Sequence, residues 1–150
     1  MRLGFYQPDI AQNLGASMRL GACLGAEIDI IEPCGFPLTD RALKRTAMDY
    51  ADLCRWRRHD SWSAFLQAPE RKEGRLVLFS TRAALPISQF AFEPGDTLLF
   101  GRESAGAPDE VHDACAARLF IPLRPGARSL NVAMAAAIAL WEARRSIQAG

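Results

Sequence analysis

The chain has 150 residues, of which 49% are hydrophobic and 23% charged, and its formal net charge is +1. That length suits one ordinary domain with a single sizeable core, and the composition is neither that of a disordered chain nor that of a membrane protein. The balanced charge gives no overall nucleic-acid signal, and the longest apolar run, residues 132–141, is too short to span a bilayer.

Residues 2–6 read as a short first strand. Asn13 is placed to cap a helix running to Leu24, with Gly25 as its carboxyl-terminal stop. Residues 27–31 are apolar and β-branched and predict a second strand. Pro33, Gly35 and Pro37 make the loop that follows, and Thr39 or Asp40 caps a short basic helix. A weaker strand is expected at 53–57 and a helix at 61–67. Residues 75–80 form a strong strand candidate and 97–100 another. A helix at 108–114, a short strand at 119–121 and a terminal helix at 132–147 complete the series. In that last helix Met134, Ile138 and Trp141 form one apolar stripe, with Arg144 and Arg145 in the final turn, where the helix dipole favours cations. Continuous apolar strands alternating with helices predict a single α/β domain with a mostly parallel sheet covered on both faces.

No amino-terminal signal core precedes Gln7, Pro8 and Asp9, so a cytoplasmic location is the expectation. Cys23, Cys34, Cys54 and Cys115 are scattered without metal-ligand spacing, and only His59 and His112 could assist them, so no metal is expected. The cysteines read as small buried hydrophobes. All but two of the 18 basic residues are Arg, which bunch at 41–45, 55–58, 124–128 and 144–145. Arginine presents a planar fork suited to phosphate and stacks on bases, yet such bunches are equally well solvated faces.

In an open parallel sheet, ligands bind beyond the carboxyl ends of strands. Two such ends have unusual sequences. After the strand at 97–100 comes Gly101-Arg102-Glu103-Ser104-Ala105-Gly106, and after the strand at 119–121 come Pro122, Pro125 and Gly126 before Ser129-Leu130-Asn131. The first has phosphate-loop glycine spacing, but Ala107-Pro108 stands where lysine and a hydroxyl residue are needed, and Glu103 would repel phosphate. A dinucleotide fingerprint is missing after the first strand. No Ser–His–acid arrangement or carboxylate pair stands out, so hydrolase chemistry is disfavoured. A neutral or cationic cofactor suits these loops best.

Three motifs in order then carry a resemblance: Asn13-x-Gly15-x-x-x-Arg19, Phe100-Gly101-x-Glu103-x-x-Gly106, and Ile121-Pro122 followed by Ser129-Leu130-Asn131-Val132. Together they resemble the SPOUT superfamily, methyltransferases with a C-terminal trefoil knot in an α/β fold. Tyr6-Gln7-Pro8-Asp9-Ile10 and the segment 31–38 sharpen the likeness to the branch that methylates the ribose 2′-hydroxyl of the tRNA wobble nucleotide, cytidine or modified uridine 34.

The resemblance covers nearly the whole chain, and it implies one methyltransferase domain over residues 1–150. It implies that residues 129–131 are tucked through the loop after the strand at 76–79. S-adenosylmethionine would then lie against Phe79, Gly101, Ile121, Ser129 and Leu130, leaving S-adenosylhomocysteine as product. It implies a homodimer in which Arg19 of one subunit serves the other's site, while Asn13, Glu103, Ser129 and Asn131 shape it, Glu103 by fixing loop and arginine positions. The anticodon loop of tRNA would be met by Arg41, Lys44, Arg45 and Arg128, since no separate RNA-binding domain is present. Arg102 and Ser104-Ala105 occupy positions where relatives often differ. A 2′-O-methyltransferase of the same superfamily acting on another tRNA or ribosomal RNA site, or a non-catalytic RNA- or cofactor-binding module, are the alternatives.

Overall fold

A computed structural model describes residues 1–71 and 73–149. Seven strands form one parallel sheet in the order β3-β2-β1-β6-β4-β7-β5. They are β1 (Arg2–Tyr6), β2 (Glu27–Ile31), β3 (Trp56–His59), β4 (Leu76–Phe79), β5 (Leu85–Pro86), β6 (Thr97–Phe100) and β7 (Ala117–Phe120). The helices are α1 (Ala11–Leu24), α2 (Asp40–Ala47), α3 (Tyr50–Leu53), α4 (Trp62–Gln67), α5 (Asp109–Ala114) and α6 (Val132–Ala149). Strands β4 and β6 are buried at every position, as a sheet covered on both sides requires. The chain first winds outward from β1 to β3, then crosses to β4 and later inserts β6 between β4 and β1. This reversal opens a crevice at the carboxyl ends of the central strands.

On one face, Leu3, Phe5, Ile28, Ile30, Val77 and Leu98 pack beneath Leu14 and Met18 of α1 and Ala136, Ala139 and Leu140 of α6. Phe5, Phe100 and Phe79 stack across β1, β6 and β4 with centroids 5.6 and 5.2 Å apart. The opposite face carries Tyr6, Ile31, Leu76, Leu78 and Leu99 under Phe65, Val111 and Cys115 of the smaller helical layer.

That second face also buries a charge. Asp29 lies opposite Gly4 in the β1–β2 register, and the Arg2 side chain reaches it from two residues back along β1. Its Nε and Nη2 donate to the carboxylate at 2.7 and 2.8 Å. His59 Nε2 stands 2.7 Å from the same group. Burial pushes the Asp29 carboxyl up, but the hydrogen bonds from His59 and Arg2 outweigh it and hold the group below its ordinary range.

Several sequence expectations need correction. Helix α1 begins at Ala11 with Ile10 in the capping position, so Asn13 is not a cap and its side chain is free for other partners. Gly25 does end the helix, in the left-handed conformation at φ 68°. Thr39 is the cap of α2, accepting from Ala42 N at 3.1 Å. The strand expected at 53–57 lies at Trp56–His59, preceded by the short helix α3. The two-residue edge strand β5 had no sequence signal.

Helix α6 runs to Ala149, so Arg144 and Arg145 sit inside it and not in its last turn. Arg144 instead donates to the Leu24 carbonyl at the end of α1, and Arg145 pairs with Glu142 at 2.7 Å. The guanidinium of Arg144 thus serves the carboxyl terminus of α1, where carbonyls lack helical partners. The stripe Met134, Ile138 and Trp141 is exposed at 54%, 42% and 64%, while Ala133, Ala136, Ala139 and Ala143 are buried. Among the cysteines, Cys54 and Cys115 are buried, Cys34 is half-buried and Cys23 is exposed. Burial pushes the thiols of Cys34 and Cys54 to about 11 and that of Cys115 to about 12, so these three are protonated near neutrality.

Candidate functional site

At the carboxyl ends of β4, β6 and β7 the loops close around a cavity of about 760 Å³. Its walls come from residues 79–81, 100–107, 119–121, 123 and 127–132, with Ile10 just before α1, Asn13 of α1 and Ala135 of α6. All five residues implied for the cofactor, Phe79, Gly101, Ile121, Ser129 and Leu130, line it, and Arg128 stands exposed on the rim.

Backbone geometry shapes the β6 loop. Arg102 and Gly106 exchange two main-chain hydrogen bonds at 2.9 and 2.8 Å, which folds the loop back on itself. Gly106 has φ 66°, a conformation that L side chains rarely adopt. A Cβ on Gly101 would stand 2.5 Å from the Gly106 carbonyl carbon, so the loop closes this tightly only with glycine there.

The three motifs meet in a continuous chain of hydrogen bonds. Asn13 Nδ2 donates to Glu103 Oε1 at 3.3 Å, and Asn131 Nδ2 donates to Asn13 Oδ1 at 2.8 Å. Asn131 Oδ1 in turn accepts from Ala133 N and Met134 N at 2.9 and 3.3 Å, capping α6. Asn13 is buried, and its amide fits both neighbours because it donates on one side and accepts on the other. Glu103 Oε2 also accepts from Asp9 N at 2.7 Å. Glu103 therefore ties its loop to the start of α1. Its described partners are the Asp9 main-chain N–H and the Asn13 amide.

Asp9 answers from the other side, a residue that sequence reasoning did not place in the site. Its Oδ1 accepts from Arg102 Nη2 at 2.6 Å and Nε at 3.2 Å, and its Oδ2 accepts from Ser104 N and Oγ at 3.0 and 2.5 Å. The hydrogen bonds from Arg102 and then Ser104 hold the Asp9 carboxyl down at about 2. Arg102 Nη1 also reaches Gln7 Oε1 at 3.4 Å. The register that pairs Phe5 with Phe100 places the loops after β1 and β6 side by side. An acidic residue in one and an arginine in the other was the signal available.

Arg19 lies outside this cavity, exposed on the outer side of α1, with its guanidinium 4.6 Å from the centroid of the Tyr50 ring. Arg41, Lys44 and Arg45 are exposed on α2, and Lys44 stands 3.9 Å from Asp52. In the bunch at 55–58, Arg57 pairs with Glu70 and Arg58 with Glu32. Among the described residues no group of three or more His, Cys, Asp or Glu is arranged to hold a metal ion. His59 and His112 do not line the cavity. No described helix is long and apolar enough to cross a membrane.

A parallel sheet whose strand ends close on a backbone-lined cavity, with neither phosphate-loop lysine nor lining histidine, defines an α/β protein built for a small organic cofactor. The chain belongs to the SpoU rRNA Methylase family, whose model matches residues 1–141. It is 54% identical to a tRNA (cytidine(34)-2'-O)-methyltransferase of Beijerinckia indica subsp. indica, over 98% of this chain and 92% of that protein. A solved structure described as "Structural insights into the 2-OH methylation of C/U34 on tRNA" superposes with a TM-score of 0.91 at 40% identity, covering 99% of this chain and 97% of the other. An AdoMet-bound rRNA methyltransferase from Sinorhizobium meliloti superposes with a TM-score of 0.85 at 25% identity, over 96% of this chain and 55% of that one.

Proposed function

We propose that this chain transfers the methyl group of S-adenosylmethionine to the ribose 2′-hydroxyl of the tRNA wobble nucleotide, cytidine 34 or modified uridine 34, and releases S-adenosylhomocysteine. The observation that carries this reading is the Glu103–Asn13–Asn131 chain at the edge of the cavity, which joins three motifs spread over 118 residues in a chain 54% identical to a tRNA cytidine 34 methyltransferase.

The cavity suits the cofactor. Phe79, Ile121 and Leu130 offer apolar surface for an adenine and ribose, and the loop backbones offer directional donors and acceptors. Bound there, the cofactor supplies an electrophilic methyl carbon on a sulfonium. Phe79, Gly101, Ile121, Ser129 and Leu130 would hold it. Asn13, Glu103 and Asn131 fix the relative positions of α1, the β6 loop and α6, and Ser129 completes the wall. The bound group would supply its methyl carbon to the ribose 2′-oxygen and leave as S-adenosylhomocysteine, and the hydroxyl proton would pass to solvent water. Arg19 of a second copy orients that ribose and, as a cation, stabilises the oxygen as the proton departs.

The exposed face Leu130, Met134, Ile138 and Trp141 supports the homodimer, since an apolar helix face of this kind is costly to leave in water. A dimer across α6 and α1 also explains why Arg19 points away from the cavity of its own chain. The anticodon loop is read by Arg128 at the rim and by Arg41, Lys44 and Arg45 of α2, through phosphate and exposed bases. Residues 1–150 act as one methyltransferase domain in the cytoplasm, with residues 129–131 threaded through the loop after β4 as a trefoil knot. The cavity wall that residues 80, 81 and 129–131 share supports that threading.

Incubation with labelled S-adenosylmethionine and unmodified total tRNA, followed by mapping of 2′-O-methyl groups, tests the reading. Label at ribose 34 is the expected result; label confined to another nucleotide, or none, overturns it.

A further inference from the structure

Arg19 has an unusual setting for an exposed arginine: a ring for a neighbour and no anion. Its guanidinium carbon lies 4.6 Å from the Tyr50 centroid, and among the described residues it makes no ion pair or hydrogen bond. Most other arginines near charged side chains have a carboxylate partner, as Arg2, Arg75 and Arg102 do. The difference is chemical. A carboxylate occupies the in-plane N–H groups of the guanidinium and neutralises its charge. An aromatic face holds the cation by its quadrupole from above the plane, leaving all five N–H donors free.

The backbone builds this stack. A Cβ on Gly15 would stand 2.6 Å from both the carbonyl carbon and the Cβ of Thr46, so α2 meets α1 almost main chain to main chain at Gly15. Arg19 is one helical turn further along the same side of α1. Past the end of α2, the chain turns at Met48 with φ 54°, a left-handed conformation rare for a non-glycine residue, and enters α3 at Tyr50. Both α2 and α3 pack on α1, and Tyr50 is half-buried in that corner. The Gly15-x-x-x-Arg19 spacing thus sets the height at which the Tyr50 ring meets the guanidinium.

We propose that Tyr50 is a positioning residue for the methyl-transfer reaction: its ring orients Arg19 with charge and donors unspent, ready for the ribose and its adjoining phosphate. This rests on the reading of Arg19 given above. An arginine that must reach from one subunit into another loses most if its rotamers are unrestrained, and the stack removes that freedom before the substrate arrives.

The test replaces Tyr50 by phenylalanine and then by phenylalanines carrying one, two and three ring fluorines, which keep the shape and progressively weaken the negative face of the ring. Turnover on tRNA, S-adenosylmethionine affinity and thermal stability are measured for each. Tyr50→Phe is expected within about twofold of the parent kcat, with kcat falling stepwise along the fluorinated series to a loss on the order of tenfold. Cofactor affinity and melting temperature are expected to stay level. A flat kcat across the fluorinated series, with Arg19→Ala inactive, overturns the positioning role alone. Full activity of Arg19→Ala removes the role of Arg19 itself, and this proposal with it.

Discussion

Replacing Asn13 by aspartate changes one NH₂ group to an oxygen and almost nothing in shape. Aspartate still accepts from Asn131 Nδ2, but its second oxygen then faces Glu103 Oε1, which Asn13 Nδ2 meets at 3.3 Å. Two carboxylates at that separation repel by roughly 2.5–5 kcal/mol for effective dielectric constants of about 40 to 20. The pair can escape by taking up one proton, at about 1.4 kcal/mol for each pH unit above an ordinary carboxyl pKa, or roughly 4 kcal/mol at pH 7 and 1.5 kcal/mol at pH 5. The net loss is therefore about 3 kcal/mol at pH 7 and under half of that at pH 5, where the carboxyl O–H replaces the lost amide donor. The sign follows from linkage: the shared proton raises the folded-state pKa of the pair above its unfolded value, so stability is regained as the pH falls through that raised value. Thermal unfolding of parent and variant between pH 5 and 8 measures it. At about 2–4 °C for each kcal/mol, the variant is expected to melt roughly 6–12 °C lower at pH 7 and to close most of that gap at pH 5. A deficit that does not change with pH refutes the Asn13–Glu103 contact as described.

Asp29→Asn removes the buried anion shared by Arg2 and His59 and is expected to cost about 3 kcal/mol, read as a fall in the urea midpoint; an unchanged midpoint contradicts the described network. The Asp9 carboxyl is held at about 2 by Arg102 and Ser104, so its contribution is complete above the ordinary aspartate range and is lost as the pH falls from there toward 2. Carboxyl NMR titration is expected to show that low midpoint, and Arg102→Ala to return it toward the ordinary range. Gly15→Ala places a methyl against the Thr46 backbone, so α2 must move. Reduced thermal stability and a loss of turnover are expected, while a variant with unchanged stability speaks against the close packing.

Much of the fold was legible because burial imposes a pattern. Strands β1, β2, β4 and β6 are apolar runs that a sheet covered on both sides demands, and Gly25 marks a turn few other residues make so cheaply. The edges were less legible. Strand β3 is Trp-Arg-Arg-His, with its arginines in solvent, and β5 ends in a proline, so neither needs the hydrophobic signature of an interior strand.

Asn13 illustrates the limit at the site. An asparagine near a helix start reads as a cap, and only Glu103, ninety residues away in the chain, shows that its side chain turns toward the cavity. Phe79, Gly101, Ile121, Ser129 and Leu130, named from motif positions, all line the cavity. The Asp9–Arg102–Ser104 clamp was not legible in this way, because its members join only once β1 and β6 are adjacent. The stripe Met134, Ile138 and Trp141 was legible as apolar, but periodicity does not say whether such a face meets its own core or a second molecule.

The proposed site needs the cavity of one copy and Arg19 of another, acting together on ribose 34. Mixed dimers test it most directly. Arg19→Ala is inactive by this reading, and Gly101→Val, whose side chain collides with the Gly106 backbone, spoils the cavity. Dimers assembled from the two variants contain one intact cavity served by one intact arginine. Recovery of methyl transfer at nucleotide 34 in the mixture, absent from either variant alone, is the expected result; a mixture as inactive as its components contradicts the shared site.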